Sequence, residues 1–262
     1  ASDVYKRQES NQKRELYRLN VYSGKVKRLA ESVTDYAWFL TDQSGNPTYS
    51  WGAESYDKGV LHKYVGGDCQ KQDYSFTRIK SEGYEAWRPI TSIYGTSELV
   101  IRVERSGETD AFYKFNVETG EQTLLYQHKR VDPDFLLLDH YTKEPYAVRV
   151  DHHFPKVELL NAEHPVGKWY PSLQQAFTGQ AVAITGATKD AKLLSFKVYS
   201  DKNPGTIYLF DAVKKEVKTV FSTSPWIKPD AMSPTLPFDF KNRDGDLVSG
   251  YYTAPESAKG KL

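Results

Sequence analysis

The sequence predicts an all-β chain arranged as a partial β-propeller of about four blades, and three observations carry that prediction. Aromatic residues make up 14% of the 262-residue chain and include 19 tyrosines, a bias suited to half-buried pleated strands rather than to helices. Three segments superpose as repeats: LYRLNVYSGKVKRL from Leu16, FYKFNVETGEQTLL from Phe112 and IYLFDAVKKEVKTV from Ile207. Tyr17 to Tyr113 is 96 residues and Tyr113 to Tyr208 is 95, about twice the ~40–50-residue period of a propeller blade. A generic antiparallel β-sandwich is the competing all-β fold.

Residues 1–14 are polar throughout, with no apolar run of the ~7–15 residues a secretory signal needs. They are expected to form a tail, and ASDVYKRQ has the look of a translated cloning or sequencing scar. The propeller segment is expected over 15–224, with fainter repeat copies midway at Leu61-His62-Lys63-Tyr64 and at residues 156–160. Between the copies, residues 36–40, 48–52, 98–104, 146–150 and 193–199 are strand-like. Ser23-Gly24 and Thr119-Gly120 supply hairpin turns. The third copy has Lys214-Lys215 instead, which predicts a longer or type I turn. One stretch is helical in pattern, 169–178, with Pro171 near its start and Gly179 at its end.

A linker follows over 225–237. Pro225, Pro229, Pro234 and Pro237 remove four backbone donors, so neither a helix nor a central strand is expected to run through it. Over 238–262, Phe238 and Phe240 alternate with polar neighbours, Asp244-Gly245 offers a turn and residues 247–253 are again β-prone. That pattern predicts a hairpin.

Met232, the spaced prolines, Phe238-x-Phe240, Arg243-Asp244-Gly245 and Gly250-Tyr251 together resemble the junction between propeller and catalytic domain in the prolyl oligopeptidase family of serine peptidases. The likeness is greatest to its acylaminoacyl-peptidase-like bacterial branch. It extends upstream through residues 112–125, 136–160 and 206–221. The resemblance implies a seven-bladed parent propeller and reads the hairpin as the first of an α/β-hydrolase domain. It also implies that the chain is a fragment, with some three blades upstream and a Ser, Asp and His triad beyond Leu262. By the same resemblance the chain's role is noncatalytic: a gate in front of a serine-type oligopeptidase acting on short peptides, with the missing hydrolase domain and those peptides as its partners. On this reading the chain alone is inactive. Two alternatives stand beside it: a stand-alone β-propeller binding or scaffold module, and a propeller enzyme acting on sugars or lactones.

Composition narrows the partners. With 35 basic against 34 acidic residues, a net charge of +1 gathers neither nucleic acid nor an anionic membrane. A mean hydropathy of −0.63 and the lack of any apolar run near ~18 residues exclude a transmembrane helix. The single cysteine, Cys69, can form no internal disulfide and reads as an ordinary thiol, which leaves the compartment open between cytoplasm and periplasm.

No catalytic, cofactor-binding or metal-binding residue is expected within the chain. Gly95-Thr96-Ser97-Glu98 lacks the second glycine of a nucleophile elbow, and Gly66-Gly67 does not build a phosphate loop. Asp151-His152-His153, with Asp139-His140 upstream, is the most tempting cluster. Adjacent histidines on a strand point to opposite faces and cannot share a metal. Asp132, Asp134, Asp239, Asp244 and Asp246 are expected in turns, where Asp bonds its own backbone. Trp38, Trp51, Trp87, Trp169 and Trp226 are expected to serve as packing between blades, the alternative being a peptide or carbohydrate platform.

Overall fold

The computed structural model describes residues 2–7, 13–55, 58–65, 68–77 and 85–255. Gly66, Gly67, the Cys69 side chain and residues 256–262 lie outside what it describes. The described chain forms twenty strands and one short α-helix, and within each sheet neighbouring strands are consecutive in the chain. The first sheet holds β1 (Ser2–Arg7), β2 (Arg14–Leu19) and β3 (Val26–Glu31). The second holds β4 (Asp35–Thr41), β5 (Pro47–Ser55), β6 (Lys58–Val65) and β7 (Asp68–Thr77). The third holds β8 (Glu85–Ser92), β9 (Glu98–Arg105), β10 (Ala111–Asn116) and β11 (Gln122–Gln127). The fourth holds β12 (Phe135–Leu138), β13 (Pro145–His152) and β14 (Phe154–Leu159). After α1 (Tyr170–Ala176) come β15 (Ala181–Ala187), β16 (Leu193–Tyr199), β17 (Thr206–Asp211) and β18 (Glu216–Ser222), and last the hairpin β19 (Thr235–Lys241) and β20 (Leu247–Thr253).

The pairings of known register are all antiparallel, and each four-stranded sheet is a meander, the unit of a propeller blade. The eighteen strands before the hairpin amount to about four and a half blades, in line with the sequence repeat. The copies at β6, β10, β14 and β17 fall on the third strand of their sheets, and the copy at β2 on the middle strand of its three. The hairpins after β2, β10 and β17 share one device. Asn20 Oδ1 accepts the amides of Tyr22 and Ser23, Asn116 Oδ1 those of Glu118 and Thr119, and Asp211 Oδ1 those of Val213 and Lys214. Four residues after the Asn or Asp, the backbone turns left-handed: Gly24 at φ 68°, Gly120 at φ 75° and Lys215 at φ 58°. The turn expected to be longer or of type I in the third copy therefore has the same span as the others. The Asp211 side chain sets the turn, and Lys215 takes the glycine conformation at the cost of a Cβ contact.

The chain divides into two compact units, residues 1–133 with 138–145, and residues 134–137 with 146–262. In the first, alternation along β5 and β9, with Ala86 and Trp87 of β8, delivers a core in which Trp51 and Trp87 stack at 4.5 Å and Phe115 tilts against Trp87 at 5.5 Å. In the second, Leu194, Phe196 and Val198 of β16 are fully buried under Tyr170 and Leu173 of α1. The helix is shorter than 169–178. A 3-10 turn over Gly167–Trp169 precedes it, Pro171 sits in its first turn, and Gly179 at φ 80° follows its end. Tyr170 Oη accepts the Ile184 amide at 3.0 Å, which ties the helix to β15, and burial pushes its hydroxyl up to about 12.

Between β18 and the hairpin, a 3-10 turn over Pro229–Ala231 is the sole helical element. The strand β19 begins at Thr235 and so takes in Pro237, which lay in the expected linker; in a two-stranded sheet a residue without N–H is tolerated because one edge carries no ladder. Among the described residues no helix is long and apolar enough to cross a membrane.

Candidate functional site

The second unit carries a cleft of about 1170 Å³ between the β13–β14 turn, the β16–β17 loop and the terminal hairpin. Asp151, His153, Lys156, Tyr199, Asp201 and Tyr251 are among the residues on its wall. The tip of the β13–β14 turn is His153 itself, at φ 63°. A single left-handed residue reverses the chain, because His152 already pairs with Phe154 across it. The two imidazoles consequently do not lie on opposite faces as a regular strand would place them; they stack, 4.2 Å between centroids and 21° apart.

From this turn His153 Nε2 reaches Asp239 Oδ1 of β19 at 3.1 Å, and Ser249 Oγ of β20 donates to the same oxygen at 2.5 Å. Asp239 thus sits within a strand and not in a turn, since its place opposite Ser249 in the ladder aims it at the blade. Asp244 and Asp246 do lie at the hairpin turn, where Asn242 Oδ1 accepts both their amides. A serine, a histidine and an aspartate within hydrogen-bond reach invite comparison with a catalytic triad, but the order is wrong. In a triad the imidazole stands between hydroxyl and carboxylate, so that it can take the hydroxyl proton. Here the carboxylate stands in the middle and Ser249 delivers its hydrogen bond to it. The arrangement clamps the hairpin to the blade, and the Thr235 amide adds a second tie to the Asp201 carboxylate at 2.5 Å.

The other candidate residues make local contacts. Asp139 Oδ1 accepts the amides of Tyr141 and Thr142 and closes the β12–β13 turn, with Lys143 left-handed at φ 63°. Ser97 Oγ donates to the Glu118 carboxylate at 2.7 Å, and Gly95 at φ 78° makes the β8–β9 turn. Asp132 accepts the Asp110 amide, and Asp134 lies 3.3 Å from Arg149, which also grips Asp151 through two nitrogens. Bonded first to Asp151 and held near Tyr199 and Asp134, the Arg149 guanidinium has its pKa raised. Trp51, Trp87 and Trp169 pack as expected, Trp169 edge-on to Phe210 at 4.9 Å, whereas Trp38 and Trp226 are exposed. Among the described residues no group of three or more His, Cys, Asp or Glu is placed to hold a metal ion.

The hairpin has two unlike faces. One face carries Thr235, Asp239 and Ser249 among Pro237, Leu247 and Tyr251, and on the opposite face Leu236, Phe238, Phe240, Val248 and Tyr252 stand together. All five of those apolar side chains are more than a third exposed.

No family model matches the chain. Among curated proteins, dipeptidyl aminopeptidase BIII of Pseudoxanthomonas mexicana is 23% identical over 246 residues, a stretch that takes in 93% of this chain and 34% of that protein. The chain therefore spans about a third of the length of this relative. Among solved structures, puromycin hydrolase superposes on 99% of the chain with a TM-score of 0.56 at 13% identity, using 43% of its own length. Prolyl oligopeptidase B from Galerina marginata, in its apo form, superposes on 95% with a TM-score of 0.51 at 12% identity, using 36%. TolB from Acinetobacter baumannii superposes on 94% with a TM-score of 0.50 at 10% identity, using 60%. At such identities the superpositions speak for the fold, which is that of blades in a β-propeller. The chain is thus similar in sequence to about a third of a dipeptidyl aminopeptidase and in fold to parts of prolyl oligopeptidase B and puromycin hydrolase.

Proposed function

We propose that this chain is the noncatalytic, substrate-gating part of a serine peptidase that hydrolyses short peptides. In this reading 15–224 is the propeller, 225–237 the linker and 238–262 the start of an α/β-hydrolase domain that supplies the nucleophile, base and acid. The observation that carries it is the apolar outer face of the β19–β20 hairpin. Two strands cannot bury Leu236, Phe238, Phe240, Val248 and Tyr252 on their own, and an isolated hairpin is marginal in water. A hairpin clamped to a blade through Thr235 and Asp239 on one side and bare on its wholly apolar side is the first layer of a second core. The length of the curated relative, of which the chain spans 34%, leaves room for that domain. A stand-alone binding module gives the hairpin nothing to belong to.

Two measurements test the reading. Purified chain is expected to leave chromogenic dipeptide and oligopeptide substrates intact; turnover that a serine-directed fluorophosphonate abolishes would place the nucleophile within these residues and refute it. Reading the parent gene beyond the Leu262 codon is expected to give a buried strand, a His-Gly-Gly-Pro loop and a Gly-x-Ser-x-Gly elbow. An immediate stop codon would turn the chain into a binding module.

A further inference from the structure

We propose that the cleft beside the terminal hairpin holds a short peptide through an acidic side chain set next to an aromatic one. This assignment rests on the reading of the chain as part of a peptide hydrolase and names the class of peptide that the surface selects.

Donors and acceptors on the wall of this cleft are unevenly spent. Asp151 receives two nitrogens of Arg149, and Asp201 receives the Thr235 amide. Tyr199 Oη accepts from Arg149, and Ser200 Oγ accepts the Lys202 and Asn203 amides. Gln180 Oε1 accepts from Asn203 Nδ2, while Asn203 Oδ1 accepts the Gly205 amide. Each of these acceptor groups thus already holds a hydrogen bond. The donors are left over: the ammonium groups of Lys156 and Lys202, and Gln180 Nε2, have no hydrogen-bond or ion-pair partner among the described residues. A wall whose acceptors are engaged and whose cationic donors are spare selects a ligand that accepts. A carboxylate is bound there by charge-assisted hydrogen bonds, roughly twice as strong as neutral ones.

The rest of the wall is apolar. Phe154, which follows the left-handed turn at His153, is 56% exposed, Tyr251 is 53% exposed, and Pro155, Pro229 and Pro234 extend the surface. Exposed rings offer a stacking surface to an aromatic side chain. The volume of about 1170 Å³ exceeds the ~300–1,000 Å³ of small-molecule pockets and leaves room for several residues of a peptide. Tyr251 shares its hairpin face with Thr235 and Asp239, so a domain laid over Phe238 and Phe240 on the opposite face leaves its ring in the cleft.

The test is a calorimetric titration of the whole chain, its fold checked by circular dichroism, with N-acetyl-Phe-Glu-Phe-Glu and N-acetyl-Phe-Gln-Phe-Gln. Both peptides are C-terminal amides, so they differ only in the charge of their side chains. The Glu peptide is expected to bind about tenfold or more tightly, the share of charge-assisted hydrogen bonds, and to lose much of that advantage at ~1 M salt. Lys156→Gln and Lys202→Gln should each reduce the preference, and the double variant should bring the two Kd values together. Lys156 is exposed and Lys202 half-buried, and neither side chain has a partner to lose, so both variants keep the fold. Phe154→Ser should weaken both peptides by a similar factor. Equal binding of the two peptides, absence of binding, or a preference that survives the double substitution overturns the proposal. These outcomes are separate from those of the gating reading: a failed titration leaves the downstream hydrolase untouched, and an immediate stop codon beyond Leu262 leaves a measured preference for the acidic peptide standing.

Discussion

The β15–β18 sheet and the β19–β20 hairpin are separated by the twelve residues 223–234, follow the same period-two alternation, and end in opposite states. In β16 the apolar set Leu194, Phe196 and Val198 is fully buried. In β19 the equivalent set Leu236, Phe238 and Phe240 is 40–48% exposed. Alternation defines a face and its register; it does not supply what covers that face. The sheet is covered by α1, whose Tyr170 and Leu173 lie in the same core as Phe196, whereas nothing among the described residues plays that part for the hairpin's apolar side.

The largest expected effect breaks the covered member of the pair. Phe196→Ala empties a site with no solvent access and is expected to cost about 3–5 kcal/mol. A urea titration reads this as a lower midpoint for the second unit's transition. A loss under about 1 kcal/mol would mean that the β16 core is not packed as described.

The cover itself is tested next. In Tyr170→Phe the ring stays but the Ile184 amide loses its acceptor, at about 1–3 kcal/mol for a buried donor left unsatisfied. This variant also has a pH signature. Burial raises the Tyr170 hydroxyl to about 12, above the ~10 of an unfolded tyrosine. Its share of stability is therefore whole below pH ~10, because both states are protonated there, and is lost as pH rises from ~10 to ~12, where the unfolded chain alone releases the proton. The wild-type chain should lose stability more steeply than Tyr170→Phe across that window; equal slopes would show that the hydroxyl is solvated.

A turn mutation sharpens the same comparison on the sheet side. Lys215 occupies the left-handed position that Gly24 and Gly120 fill in the matching hairpins. Lys215→Gly is expected to stabilise by up to about 1 kcal/mol, and Gly120→Ala to destabilise by a similar amount. Thermal midpoints moving in the same direction for both would contradict a shared turn geometry.

These turns also mark how far the sequence could be read. The five repeat copies were legible because β2, β6, β10, β14 and β17 each combine alternating apolar residues with a fixed place in the blade, so period and spacing agree. Strands β1, β7, β8, β12 and β15 escaped notice, β1 because residues 1–14 were expected to form only a polar tail. Trp87 and Pro89 in β8, and Gly186 in β15, break the alternation or the propensity, and both strands hold their place through neighbours and tolerate register shifts. The equivalence of Lys215 with two glycines was hidden for the opposite reason: propensity argued for a different turn, and the Asp211 side chain overrode it. No local signal joins His153 to Asp239, which are 86 positions apart. The one clue lay in Asp239 standing opposite Ser249 in a predicted hairpin. At the β4 edge, Trp38 was counted with the packing tryptophans because its exposure depends on a bulge that the sequence 35–38 does not announce.

The clamp between the two regions ranks below these. Asp239→Asn removes the charge that faces His153 but keeps an acceptor for Ser249. Both partners are about a third exposed, so the pair is screened and worth about 0.2–1 kcal/mol. Its effect on global unfolding should be within error. Limited proteolysis is the sensitive reading, with faster cleavage around 241–247 expected once the hairpin is held by the Thr235 tie alone. An unchanged cleavage rate would assign the docking to Thr235 and the proline-rich approach.

The effect expected on the uncovered face is as small as that of the clamp, and its smallness is the point. Phe238 lies over Gly250, where a Cβ would meet its ring at 2.9 Å, and it stacks on Phe240 at 5.9 Å. Within two strands, Phe238→Ala forfeits these cross-strand contacts and little else, about 0.2–1 kcal/mol. In a longer protein whose second domain closes over this face, the same substitution opens a cavity in a core and rises to about 3–5 kcal/mol. The ratio between the two measurements is a direct count of how much cover the hairpin lacks here. Equal small losses in both contexts would mean that the apolar side of β19 and β20 faces solvent in the longer protein too, and that the hairpin ends the propeller rather than beginning another core.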